Sequence, residues 1–257
     1  DSIFYKSSTP HGMIAVDGQD CVFLAMIMAG TEQEQDLSVR TRALEEAPEQ
    51  QLLCDRFVHG VENEDGSLRE LQFHNEDRFN FAFDIVDGIA RREPDRLAMV
   101  HVANDMTERR FTFKDMKDAS SQAANYFTSL GVKRGDRVML VLKRHYQFWF
   151  AILGLHKLGA IAIPATNQLM EHDFTYRFQA AGVSAIVCTA DGDTAHQVDV
   201  AEADAGMHLT KVLVGGSREG WHDFNAEYGL FSRRYTRTED APCGDDPMLM
   251  FFTSGTS

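Results

Sequence analysis

The chain has 257 residues, 44% hydrophobic and 25% charged, a globular balance that excludes general disorder. Its formal net charge of −14 excludes a broad nucleic-acid-binding surface, because such surfaces cluster Lys and Arg to displace phosphate counterions. The length suits one large domain or two ordinary ones, with enough residues to bury a core.

In chain order, residues 1–30 read as short β segments. The apolar runs MIAV and CVFLAMIM flank Asp17-Gly18, a hairpin signal. The run CVFLAMIMAG (21–30) is about half the length of a membrane-spanning helix, and no basic stretch precedes it, so neither a span nor a signal peptide is expected. The first residue is Asp1 rather than Met, from which the expectation is a chain clipped at its front. Residues 31–50 are polar and acidic and read as a linker or a surface helix.

From about residue 51 the texture changes to alternating helix and strand. In FTFKDMKDASSQAANYFTSLG, Thr112 and Asp115 form a capping-box pair. Ala119, Ala123, Phe127 and Leu130 then recur at helical spacing, and Gly131 supplies the stop. VMLVL (138–142) is a continuous apolar strand of the kind buried on both faces. HYQFWFAILGLHKLG (145–159) predicts a helix and AIAIP (160–164) a strand. EHDFTYRFQAAG (171–182) and SAIVCTA (184–190) repeat the pair, as do residues 193–205 and KVLVGG (211–216). This alternation with short connections implies crossover units and a mainly parallel sheet, an α/β fold with flanking helices.

Cys21, Cys54, Cys188 and Cys243 lie far apart without a CxxC pair, which predicts free thiols in a reducing, cytoplasmic setting. The ten histidines include no HExxH, and no metal site is assigned to them. The aromatic stretch Tyr146, Phe148, Trp149 and Phe150 fits either an acyl pocket or helix packing, with packing the better reading. Lys143 and Arg144 after a strand and the cluster Arg233, Arg234 and Arg237 are candidate phosphate contacts, and Asn167 in PATNQ is a candidate hydrogen-bond donor just after a strand. Solvated loops and turns explain the same residues.

The chain ends on MLMFFTSGTS, an apolar strand breaking into Ser, Thr and Gly. Gly255 lets backbone N–H groups converge on one point, while Thr253, Ser254, Thr256 and Ser257 add hydroxyl donors, so the segment reads as an anion cradle or as an exposed turn. No GxxxxGK[ST] or GxGxxG spacing accompanies it.

FTFKDM (111–116), LHKLGAIAIPATN (155–167) and MLMFFTSGTS resemble, in order, the first three core segments of the adenylate-forming superfamily. That superfamily comprises acyl-CoA synthetases, luciferases and peptide-synthetase adenylation domains. FNFAFDIVDGIARREPDRLA (79–98), RHYQFWFAILGLHKLGA and GWHDFNAE (220–227) are similar to its medium-chain acyl-CoA synthetase branch. The resemblance covers 51–257 and implies the first part of that family's N-terminal domain. It also implies ATP, Mg2+ and coenzyme A as reactants with a small carboxylic acid, through acyl-AMP to acyl-CoA, with carrier-protein loading as the close alternative. By the same resemblance, Thr253, Ser254, Gly255, Thr256 and Ser257 hold the nucleotide phosphates. The loop continues in the family into Gly-x-Pro-Lys, so the expectation is a chain truncated within its ATP motif and inactive alone. No catalytic residue is assigned, CoA contacts stay unassigned, and oligomeric state is not read.

Residues 1–30 also resemble the closing strands of a cupin barrel, with His11 at the position of a histidine that binds metal in some cupins. The remaining ligands would lie upstream, so no metal is assigned. This gives the alternative reading, a regulatory protein in which a cupin segment senses a small acid beside a non-catalytic adenylating remnant.

Overall fold

In the computed structural model, residues 4–5, 11–15 and 23–27 are described as backbone, and residues 54–252 in fuller detail. Contacts divide the chain into two units, Asp1–Asn75 and Glu76–Ser257. In the first unit, strands β1 (Phe4–Tyr5), β2 (His11–Ala15) and β3 (Phe23–Ile27) form an antiparallel sheet with His11 opposite Ile27 and Ala15 opposite Phe23. The strands of the expected hairpin therefore pair, while its Asp17-Gly18 turn and the 31–50 segment lie outside the described residues. Strands β4 (Val58–Glu62) and β5 (Leu68–Phe73) make a second antiparallel hairpin, and every residue of β5 is exposed.

The second unit begins with a π-helical turn, Phe81–Val86, running into helix α1 (Asp87–Arg92). An antiparallel pair follows, β6 (Leu97–Val102) and β7 (Glu108–Thr112), and leads into α2 (Phe113–Ser129). The capping box forms as the spacing predicts: the Asp115 N–H donates to Thr112 Oγ1 at 3.1 Å, and the Thr112 N–H donates to the Asp115 carboxylate at 2.9 Å.

Next come β8 (Arg137–Val141), α3 (Gln147–Leu158), β9 (Ile161–Pro164), α4 (Glu171–Ala181), β10 (Val183–Thr189), α5 (Thr194–Ala205) and β11 (Thr210–Val214). A short β12 (His222–Asp223) and α6 (Phe224–Glu227) close the series. The strands form one parallel sheet in the order β12-β11-β10-β8-β9. The predicted mainly parallel α/β sheet with flanking helices, preceded by a short β segment, is what the chain builds.

Alternation along the strands divides the core. Val138, Leu140, Ala185, Val187, Val212 and Val214 face α2 and α3, and Met139, Val141, Ile186, Cys188 and Leu213 face α4 and α5. Helices α2 and α3 cross closely enough that a Cβ on Gly154 would sit 2.8 Å from the Ala123 Cβ and 2.9 Å from the Ala124 nitrogen. The final expected strand is reduced to one parallel bridge. The Ala162 N–H donates to Met248 O and the Met250 N–H donates to Ala162 O, both at 3.0 Å, which sets 248–250 beside β9.

Candidate functional site at the carboxyl ends of the sheet

The strand order creates a switch point. From β8 the chain leaves to α3 on one face, and from its parallel neighbour β10 it leaves to α5 on the other. The two loops diverge, and a crevice opens at the carboxyl ends of the strands, where open α/β sheets bind ligands. Here it is a cleft of about 760 Å³ lined from β6 and β7, the β8–α3 loop, the residues after β9 and the turn after β10.

Its walls are polar and mainly basic. The Lys143 Nζ lies 3.6 Å from Asp191, and the His145 Nε2 is 2.7 Å from Thr189 Oγ1 and 3.9 Å from Asp191. Burial holds the His145 imidazole below its ordinary pKa, with Lys143 and His101 adding to the effect and Asp191 opposing it. The Thr189 hydroxyl also accepts the Asp191 N–H at 3.1 Å, which fixes the turn. The His101 Nε2 lies 3.0 Å from the Arg144 carbonyl, so that nitrogen donates and the buried Nδ1 is left without a partner. The Arg109 guanidinium stands 5.5 Å over the Tyr146 ring.

A second depression of about 590 Å³ continues from this cleft and shares with it His101, Leu142, Ala165, Thr166 and the run Lys143–Tyr146. Its remaining walls are largely apolar: Met99, Val100, Leu140, Phe148, Trp149 and Pro164.

A family model described as AMP-binding enzyme matches residues 86–257. The chain belongs to this family. Mitochondrial acyl-coenzyme A synthetase ACSM5 of Rattus norvegicus is 36% identical over 188 residues, covering 70% of this chain and 32% of the rat protein. Mitochondrial acyl-coenzyme A synthetase ACSM1 of Homo sapiens is 34% identical over 202 residues, 76% of this chain and 34% of the human protein. The chain thus spans about a third of the length of the curated relatives it matches. Among solved structures, an acyl-CoA synthetase of Brucella canis aligns with a TM-score of 0.61 at 25% identity, covering 72% of this chain and 33% of its own. An anthranilate CoA ligase solved with anthranoyl-AMP aligns with a TM-score of 0.59 at 22% identity, over 70% and 33% of the two chains, a likeness of fold.

Within this AMP-binding family chain, Thr253, Ser254, Gly255, Thr256 and Ser257 lie outside the described residues. The described backbone reaches Phe252 after pairing parallel to β9 at Leu249, and so runs in the same direction as the sheet strands. Lys143, Arg144 and Asn167, separate candidates in the sequence, meet on one cleft. The arginine cluster does not join them. Arg237 donates to Asp84 at 2.6 Å and to the Arg78 carbonyl and covers the Phe83 ring, while Arg233 and Arg234 are exposed. Of the aromatic stretch, Phe150 is core, whereas Trp149 is half exposed and lines the apolar depression. Sequence reasoning missed His101, Arg109, His145, Thr189 and Asp191, and only the positions of His145 and Asp191 just after predicted strands hinted at them.

Among the described residues, no group of His, Cys, Asp and Glu could hold a metal ion, and no helix is long and apolar enough to cross a membrane. Cys188 and Cys243 are free, and burial pushes the Cys188 thiol up to about 12.

Proposed function

We propose that this chain is the front portion of an AMP-forming carboxylic acid–CoA ligase acting on a fatty or medium-chain acid. The observation that carries the reading is the basic crevice at the sheet's switch point, within the stretch that matches the AMP-binding family. The acyl-coenzyme A synthetase relatives support the choice of reaction.

In this reading a carboxylate oxygen bonds to the α-phosphorus of Mg-ATP and pyrophosphate leaves. The thiol of CoA then bonds to the acyl carbon and AMP leaves. Thr253, Ser254, Gly255, Thr256 and Ser257 supply hydroxyl and backbone N–H donors to the departing β- and γ-phosphates, where charge accumulates in the first step. Mg2+ arriving as part of the Mg-ATP substrate would offset negative charge on the nucleotide phosphates. Asn167, Lys143 and Arg144 line the cleft at the sheet ends, and the residues that meet CoA are left unassigned. Free Cys188 and Cys243 fit a reducing compartment such as the cytoplasm, whereas the rat and human relatives are mitochondrial proteins. Residues 1–30 are proposed as a cupin-like segment, 31–50 as its connector and 51–257 as the ligase portion.

ATP–pyrophosphate exchange with octanoate tests the proposal on the whole protein in which this chain occurs. Acid-dependent exchange is expected, reduced about 100-fold or more by Thr253→Val with Ser254→Ala, in line with the loss of a charge-stabilising donor, and absent from the 257-residue chain alone. Exchange without acid, or none from the whole protein, would overturn it.

A further inference from the structure

The hairpin of β4 and β5 lies ahead of residues 86–257, which match the AMP-binding family, and no step of the proposed reaction uses it. It pairs with no third strand among the described residues. A two-stranded hairpin is marginal alone and gains stability when a further strand joins it. Strand β5 is the edge open to such an addition. Every residue from Leu68 to His74 is exposed, and Leu68, Leu71 and Phe73 are 59%, 47% and 55% exposed, an apolar edge of the kind that lone chains blunt with charge.

Hydrogen-bond phase fixes which backbone groups face outward. Val58 stands opposite Phe73, so Phe57 stands opposite His74, and the His74 N–H donates to the Phe57 carbonyl at 2.8 Å. Hydrogen-bonded positions alternate along an antiparallel strand. Gln72 and Glu70 therefore also bond toward β4, and the N–H and C=O groups of Leu71 and Phe73 point to the free edge.

Residues 70–74, Glu-Leu-Gln-Phe-His, complement themselves when laid antiparallel. Centred on Gln72, Leu71 of each copy meets Phe73 of the other, and Glu70 of each meets His74 of the other. Centring on Leu71 instead would set Phe73 against Arg69 and lose both kinds of pair. The register shift after the Val61–Glu70 pair and the left-handed Asn75, at φ 61°, end the regular strand on either side of this stretch.

We propose that the free edge of β5 is a self-association surface, on which two copies of the chain pair antiparallel through residues 70–74. The two hairpins become one sheet in the order β4-β5-β5-β4. Each Leu71–Phe73 pair exchanges both backbone hydrogen bonds, with the apolar side chains on one face and Glu70 beside His74 on the other. An interface this small makes a weak, reversible dimer, and the chain's net charge of −14 opposes it at low ionic strength. The dimer does not depend on the ligase reading.

Sedimentation equilibrium of the 257-residue chain across about 1–200 μM, in about 0.15 M salt, should show a monomer–dimer equilibrium. Leu71→Lys should weaken the dimer about tenfold or more, since a lysine on the edge loses the Phe73 contact and adds charge. His74→Glu should weaken it by a similar factor, because it sets a second carboxylate opposite Glu70 in both pairs. Adding Glu70→Lys to His74→Glu should return the dimer to within about threefold of the parent. Along one strand these two positions are roughly 14 Å apart, so only pairing between copies in this register gives the rescue. A chain that stays monomeric throughout that range would overturn the proposal. So would a dimer that Leu71→Lys leaves intact, or a charge swap that fails to restore association.

Discussion

The two faces of the parallel sheet are built on different principles. The face covered by α4 and α5 is held mainly by shape: Phe174, Phe178, Val198, Ile163 and Ile186 interlock, and its buried polar side chains are only the hydroxyls of Thr194 on α5 and Thr189 at the end of β10 among the described residues. The face covered by α2 and α3 is as well packed but encloses polar groups. Asn80, Asp87, Ser120, Ser121, Gln122, Gln147 and Lys157 are all buried in the elements on that side. Shape tolerates substitution in proportion to volume, whereas a buried polar network fails when one member is lost. The α2–α3 face should therefore be the brittle one.

The largest effect tests this directly. The Lys157 ammonium, with a fully buried side chain, donates to Asp87 at 2.9 Å and Ser121 Oγ at 3.0 Å and lies 5.6 Å over the Phe83 ring, pinning α3 to α1 and α2. Burial disfavours both charges, lowering the Lys157 pKa and raising that of Asp87, while the partners oppose this by attraction. Removing one partner leaves the other buried and uncompensated. Asp87→Ala should destabilise the chain by about 3–5 kcal/mol in urea denaturation, whereas Asp87→Leu with Lys157→Met should be nearly neutral. A single-variant loss below about 1 kcal/mol would erase the contrast between the faces.

A smaller effect should appear only in acid. His156 on α3 is largely buried, and burial holds its imidazole pKa at about 4. In the unfolded chain it titrates near the ordinary histidine value of about 6.5. Between those values the unfolded chain binds a proton that the folded chain refuses, so stability falls as pH drops through that window. The contribution at full extent is roughly 3 kcal/mol. Comparing His156→Gln with the parent by thermal unfolding from pH 7 to pH 4 should show a shallower decline for the variant. Parallel curves would mean that the imidazole reaches water.

The same contrast explains what was legible in the sequence. Continuous apolar strands separated by helical spacing gave the layers, because burial on both sheet faces and a 3.6-residue period leave a direct imprint, as in VMLVL or Ala119, Ala123 and Phe127. The capping pair and the Gly131 stop were equally readable, and this glycine sits at φ of 88°. The buried ion pair was not. Lys157 and Asp87 are 70 positions apart, and a lysine in LHKLG looks the same whether it faces water or a carboxylate. The cleft was hidden for the same reason. His101, His145, Thr189 and Asp191 belong to different elements, and only the strand order, with β10 inserted next to β8, brings them together. Local chemistry writes itself into neighbouring residues, while a site at a topological switch is a property of the whole sheet.

The smallest effect concerns a device that lies on the brittle face but at its solvent edge. The Thr112 hydroxyl accepts the Asp115 N–H at 3.1 Å and donates to the Asp115 carboxylate at 2.8 Å, so both groups serve only the first turn of α2. Water can replace either when it is lost, because the hydrogen bonds are exposed. Thr112→Ala should therefore cost only about 1 kcal/mol by chemical denaturation, and Thr112→Ser should restore most of it. The value separates two accounts of the α2–α3 face. If brittleness comes from burial of polar groups, an exposed cap on the same helix behaves like any other cap. If Thr112→Ala instead cost as much as Asp87→Ala, the fragility would belong to α2 as a whole, its register set from the first turn, and the buried pair would be one symptom of that rather than its source.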